Sequence, residues 1–138
     1  MAYQAVVNWQ EGRHFEGTAQ GHTIQIDTLP PNGTDQGMSP MLMLLVALGG
    51  CTGMDVVSIL QKERQDLTGL SIEVNAERAS DYPMVYTKIN LIFRVKGHGV
   101  AREAVERAVQ LSEEKYCSVG LMLNKTAEFV THIEISEA

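Results

Sequence analysis

The spacing of hydrophobic and polar positions changes along the chain, and each change marks an element. Residues 3–28 alternate in three short segments, Tyr3 to Trp9, Arg13 to Ala19 and His22 to Thr28, separated by Glu11-Gly12 and Gln20-Gly21, pairs suited to tight turns. This predicts a small β-meander. Leu29 to Met38 holds two prolines and two glycines without periodicity and reads as a loop. Ser39-Pro40 then has the form of an N-cap followed by proline at the first helical position, where the missing N–H leaves no bond unmade. A helix over 39–64 follows. Its first half, Met41 to Leu48, is apolar all the way round, and its second half is amphipathic, with Val56, Val57 and Leu60 set against Lys62, Glu63 and Arg64.

Period two returns at Gly69 to Ala79, where Leu70, Ile72, Val74 and Ala76 alternate with Ser71, Glu73, Asn75 and Glu77. After Ser80-Asp81-Tyr82-Pro83 a second run places Val85, Thr87, Ile89, Leu91, Phe93 and Val95 on one face, so the two runs predict a hairpin. Ala101 to Ser112 puts Ala101, Ala104, Val105, Ala108, Val109 and Ser112 at helical spacing. A short apolar segment, Val119 to Leu123, and an alternating strand from Glu128 to Ser136 complete the chain. The order β-β-β-α-β-β-α-(short α)-β defines an α+β fold, an antiparallel sheet wrapped around a central buried helix, in a single domain spanning 1–138. Enclosing Met41 to Leu48 takes more cover than one meander supplies, which points to a partner subunit.

Composition narrows the function classes. Hydrophobic residues make up 44% and charged residues 20% of 138 residues, the profile of one globular domain and not of a disordered chain. Seventeen acidic against eleven basic residues give a formal charge of −6, and no run of Lys or Arg is present, so nucleic acid and anionic membrane are set aside as partners. Met1-Ala2-Tyr3-Gln4 has neither a basic nor an apolar export region, and a reducing, cytoplasmic setting is expected. The uncharged stretch Gln36 to Met54 is interrupted by Ser39, Pro40, Gly49, Gly50, Thr52 and Gly53, and reads as a core helix, not a membrane span.

The chemistry rests on two cysteines, Cys51 and Cys117, 66 positions apart. There is no CxxC, and His14, His22, His98 and His132 are scattered, so neither a metal nor another cofactor is expected. Cys51, between Gly49-Gly50 and Met54, has the surroundings of a small buried hydrophobe. Cys117 stands at a predicted helix N-terminus, where the helix dipole favours a thiolate.

Three strings carry a resemblance: Ser39 to Val57 (SPMLMLLVALGGCTGMDVV), Asp81-Tyr82-Pro83, and Glu113 to Val119 (EEKYCSV). They resemble the OsmC/Ohr family of thiol-dependent hydroperoxide reductases, in the branch whose members are described only as OsmC-like, and the likeness extends over essentially the whole chain. The resemblance implies a homodimer with intertwined subunits. It also implies a peroxidase in which Cys51 attacks the O–O bond of a small organic hydroperoxide, Cys117 resolves the sulfenic acid to a disulfide, and a dithiol donor restores both thiols. In the family an arginine of the N-terminal meander activates the attacking sulfur, and Arg13 lies in the corresponding segment. A family glutamate after the helix-opening proline holds that arginine; here Met41 and Leu42 follow Pro40 instead. Asp55, one turn beyond Cys51, brings a negative charge that opposes thiolate formation. The alternative is a non-catalytic protein that keeps the fold and binds a small apolar ligand.

Overall fold

The computed structural model describes residues 2–138, which fall into two compact units, the second beginning at Leu45. In the first unit β1 (Val6–Glu11), β2 (His14–Ala19) and β3 (His22–Ile26) form an antiparallel sheet in chain order, as the alternation predicts. Gln20 and Gly21 both take positive φ, 53° and 78°, the twist a two-residue hairpin loop needs to return β3 alongside β2. The indole N–H of Trp9 donates to the Gly12 carbonyl at 3.0 Å and closes the first turn.

The proline- and glycine-rich loop is organised by one carboxylate. Asp27 is buried, and its oxygens accept four hydrogen bonds, from the N–H of Thr28 (2.7 Å), the N–H and hydroxyl of Thr34 (3.3 and 3.0 Å) and the N–H of Gln36 (3.1 Å). Gly33 is required here, because a Cβ would stand 2.3 Å from the Thr28 carbonyl oxygen. Burial by itself would raise the Asp27 carboxyl, but these bonds from Thr28, Gln36 and Thr34 stabilise the charged form and hold it below the ordinary carboxylate value.

α1 (Pro40–Lys62) begins where Ser39-Pro40 predicts and runs from the first unit into the second. In the second unit β4 (Asp66–Arg78) and β5 (Tyr86–His98) form the expected hairpin, and β6 (Glu128–Glu137) joins the other side of β5. The β5–β6 pairing is parallel, so this sheet is mixed and not antiparallel throughout as the sequence suggested. The reason is the connection: α2 (Arg102–Leu111), a π-helical turn (Ser112–Tyr116) and α3 (Ser118–Leu123) carry the chain back to the starting end of β5 before β6 begins. As the middle strand, β5 buries Ile89, Leu91, Phe93 and Val95.

The burial of α1 differs from the expectation of a helix enclosed on all sides. Leu48, Thr52, Val56 and Leu60, spaced i, i+4, form its buried stripe, while Val46 and Met54 are 60% and 77% exposed. One chain covers one stripe of the helix. By length and composition α1 is apolar enough to cross a membrane, yet its buried stripe is packed within protein.

Asp27 gives a test of the loop. In Asp27→Ala the amides of Thr34 and Gln36 should lose protection in hydrogen exchange while the β2–β3 amides keep theirs. Because the folded carboxyl lies below its ordinary value of 3.8, its contribution is complete above that pH and is lost only as pH falls through the lower folded value. Protection at Thr34 and Gln36 should therefore persist through pH 4 and fail in stronger acid; loss already at pH 5 would contradict this account.

Candidate active site

Around Cys51 the helix packs on side chains of β4. A Cβ on Gly53 would stand 3.1 Å from Ile72 Cδ1, and one on Gly49 3.6 Å from Val74 Cγ2, so these glycines receive the ends of two β4 side chains. Cys51 sits between them and is half-buried. Cys117 arrives from the other direction. α2 ends at Leu111, and the chain widens into the π turn, closed by a 2.8 Å bond from the Cys117 N–H to the Ser112 carbonyl five residues back. Cys117 then caps α3, its Sγ accepting the Gly120 N–H at 3.3 Å. Glycine leaves that sulfur room: a Cβ at position 120 would lie 3.2 Å from it and 3.3 Å from Leu48 Cδ1, so both would have to give way.

The two cysteines are neighbours. Both are free thiols, and Cys51 lies close enough to Cys117 to act on its titration. The pair adjoins a chain of buried polar groups: the Thr52 and Ser112 hydroxyls are 2.7 Å apart, and Ser112 Oγ donates to Asp55 Oδ2 at 2.8 Å. A serine hydroxyl has one proton, so with that proton given to the carboxylate it is Thr52 that donates to Ser112. A cavity of about 260 Å³ opens beside Cys117, with Leu48, Leu91 and Phe129 on its apolar side and Glu113 and Glu114 on its polar side. Glu113 is fixed by the Thr131 hydroxyl and Glu114 accepts from Gln110 Nε2 at 3.2 Å. Cys117 lines this cavity and Cys51 does not.

The two thiols are not equivalent. Cys117 is 1% exposed, and its thiol is pushed up to about 12, first by burial and then by the neighbouring Cys51 thiol, with the charge of Asp55 adding in the same direction. This overturns the expectation of a dipole-favoured thiolate at Cys117. The Gly120 N–H does favour the anion, but removing the sulfur from water outweighs it. Arg13 lies in the turn between β1 and β2 of the first unit and is exposed. In the second unit Arg94, Arg102 and Arg107 are engaged in ion pairs with Glu73, Glu106 and Glu63.

Thr52, Ser112 and Glu113 were missed as site residues by sequence reasoning. A signal existed for the first two: each is a hydroxyl residue on the apolar stripe of its helix, where a buried polar group demands a partner.

An α+β chain with a glycine-flanked cysteine helix and a second cysteine at a helix cap defines a class. The sequence model of the family described as "OsmC-like protein" matches residues 33–132, and the chain belongs to that family. It is 47% identical over 136 residues to Protein YhfA of Escherichia coli strain K12, covering 98% of this chain and 99% of that one. Among solved structures, a hypothetical protein from Aquifex aeolicus VF5 superposes with a TM-score of 0.90 at 28% identity, over 100% of this chain and 98% of that one. An organic hydroperoxide resistance protein from Elizabethkingia anophelis shares the fold at 9% identity, with a TM-score of 0.72 over 99% and 97% of the two chains.

The inequality of the thiols has a direct readout. Limiting iodoacetamide at pH 7.5 should modify Cys51 well ahead of Cys117, as peptide mapping would show. The folded Cys117 value lies above the ordinary 9.0, so the neutral thiol's contribution to stability is whole below pH 9 and is lost as pH rises toward 12. Wild-type protein should accordingly lose more stability across that window than Cys117→Ala does. Equal losses, or faster labelling of Cys117, would contradict the assignment.

Proposed function

We propose that the protein is a thiol-dependent peroxidase that reduces small organic hydroperoxides. The observation that carries this reading is the pair of neighbouring free thiols, 66 positions apart in sequence, beside a partly apolar cavity. Cys51 is the attacking sulfur: as thiolate it takes the terminal oxygen of ROOH, becomes Cys51–SOH, and the departing alkoxide takes up a proton to leave as ROH. Cys117, too weakly acidic to compete for the peroxide, then displaces water from the sulfenic acid to give the Cys51–Cys117 disulfide. A dithiol of the reducing cytoplasm returns both thiols and is itself oxidised to a disulfide. Arg13 supplies the positive charge that an attacking thiolate needs, without the family's glutamate to hold it.

The working unit is a homodimer of one-domain subunits. Support comes from the uncovered apolar residues, Val46 and Met54 on α1 and Met122 on α3, the last 67% exposed. A second copy would give these residues the cover that one chain lacks.

With dithiothreitol as donor, wild-type protein should consume cumene hydroperoxide catalytically. Cys51→Ser should lower turnover by about 100-fold or more, while Cys117→Ser should still consume one equivalent and then stall. Arg13→Gln should slow the first step. A folded wild-type protein that leaves the hydroperoxide intact would reject the reading. Sedimentation should give twice the 15.2 kDa chain mass at micromolar concentration, and Val46→Asp should shift the protein toward monomer; a wild-type monomer would reject the dimer.

A further inference from the structure

Ser112 is fully buried and bonded in two directions at once. Its hydroxyl reaches across to α1, accepting from Thr52 at 2.7 Å and donating to Asp55 at 2.8 Å, while its carbonyl accepts the Cys117 N–H at 2.8 Å. The α1 partners flank the other cysteine, Thr52 being the next residue after Cys51 and Asp55 lying one turn beyond it. One serine therefore ties the helix that carries Cys51 to the turn that carries Cys117. The widened turn is part of the same arrangement. Its carbonyl is shared five residues on, with residue 117, where an α-helix would share it with residue 116, so the tie ends on the cysteine itself.

Burying two hydroxyls in an aliphatic setting stabilises less than apolar packing of the same shape would, since each must recover in hydrogen bonds what it loses in water. Thr52 is 2% exposed and Ser112 not at all, and both are satisfied. Such a pair holds one geometry sharply, because sliding the turn along α1 would leave buried donors and acceptors unpaired.

We propose that Ser112 is a positioning residue for the dithiol: through Thr52 and Asp55 it holds the Cys117 turn against α1, so that Cys117 meets Cys51 without a prior conformational search. The step served is Cys51–SOH + Cys117–SH giving Cys51–S–S–Cys117 + H₂O, in which a sulfur–sulfur bond forms, the sulfenic hydroxyl leaves, and the Cys117 proton departs with it as water. The inference takes its purpose from the peroxidase reading, but its measurement needs no hydroperoxide.

The test is a titration of the Cys51–Cys117 disulfide against reduced and oxidised glutathione, which reads the effective concentration of one thiol at the other. Ser112→Ala should lower that effective concentration by about tenfold relative to wild type. Thr52→Val, which removes one hydroxyl at matched volume, should lower it in the same direction, and Thr52→Ser, which keeps the hydroxyl, should restore it. Leu60→Ala controls for general softening: it destabilises the unit by cavity formation away from the tie and should leave the equilibrium near the wild-type value. The proposal is overturned if Ser112→Ala or, should that variant not fold, Thr52→Val stays within about twofold of wild type, or if Leu60→Ala moves the equilibrium as far. If the wild-type protein proves inert to hydroperoxides while the glutathione equilibria behave as expected, the peroxidase reading fails and the positioning role stands.

Discussion

The seating of one stripe of α1 in the core is the constraint on which the rest of the larger unit depends. Gly49 and Gly53 receive the ends of the Val74 and Ile72 side chains, and a Cβ at Gly53 would meet Ile72 at 3.1 Å, so the absence of a side chain there fits the depth at which the helix lies. Once the depth is set, the stripe Leu48, Thr52, Val56 and Leu60 is committed to the core, and Cys51 is held at its edge, half-buried. Leu48 in turn presses toward Gly120, whose lack of a side chain leaves space for the Cys117 sulfur. Glycines at three positions thus leave room for their neighbours inside a packed unit, Val74 and Ile72 on one side of α1 and the Cys117 sulfur beside Leu48.

Within that geometry, burial sets the acidity of the Cys117 thiol. The thiol that is out of water, Cys117, is held in its neutral form well above neutrality, and the nearby Asp55 charge reinforces the effect. The same carboxylate spends a lone pair on Ser112, so it serves the architecture and the electrostatics together. A buried neutral thiol beside a more exposed one is the asymmetry a two-step thiol reaction needs, since the partner that must wait is the one that cannot ionise.

Most of the architecture was legible in the sequence because period two and period 3.6 are written in the side chains themselves. The meander, the Ser39-Pro40 helix start, the hairpin and the short helix after Cys117 could all be placed this way. The parallel pairing of β6 was not legible, because alternation in Glu128 to Ser136 fixes a face and not a direction. The all-round apolarity of Met41 to Leu48 suggested a helix enclosed on all sides, and in one chain only Leu48 of that run is buried. At the site, both cysteines and their contexts stood out, whereas the acidity of Cys117 did not: position at a helix cap argued for a thiolate, and burial, a tertiary quantity, decided otherwise. Ser112 could be placed on the apolar stripe of its helix, but its partners are 57 and 60 residues away in sequence. No local pattern encodes a bond of that span.

The central claim is that Cys51 and Cys117 act as one dithiol. Its most direct measurement is the stoichiometry of a single turnover: reduced protein mixed with one equivalent of cumene hydroperoxide per subunit, with free thiols counted and the products mapped by mass spectrometry. The account expects two thiols lost for each hydroperoxide consumed and a Cys51–Cys117 linkage as the product. Loss of one thiol, with Cys51 stranded as sulfenic or sulfinic acid and Cys117 still reduced in folded protein, would contradict it.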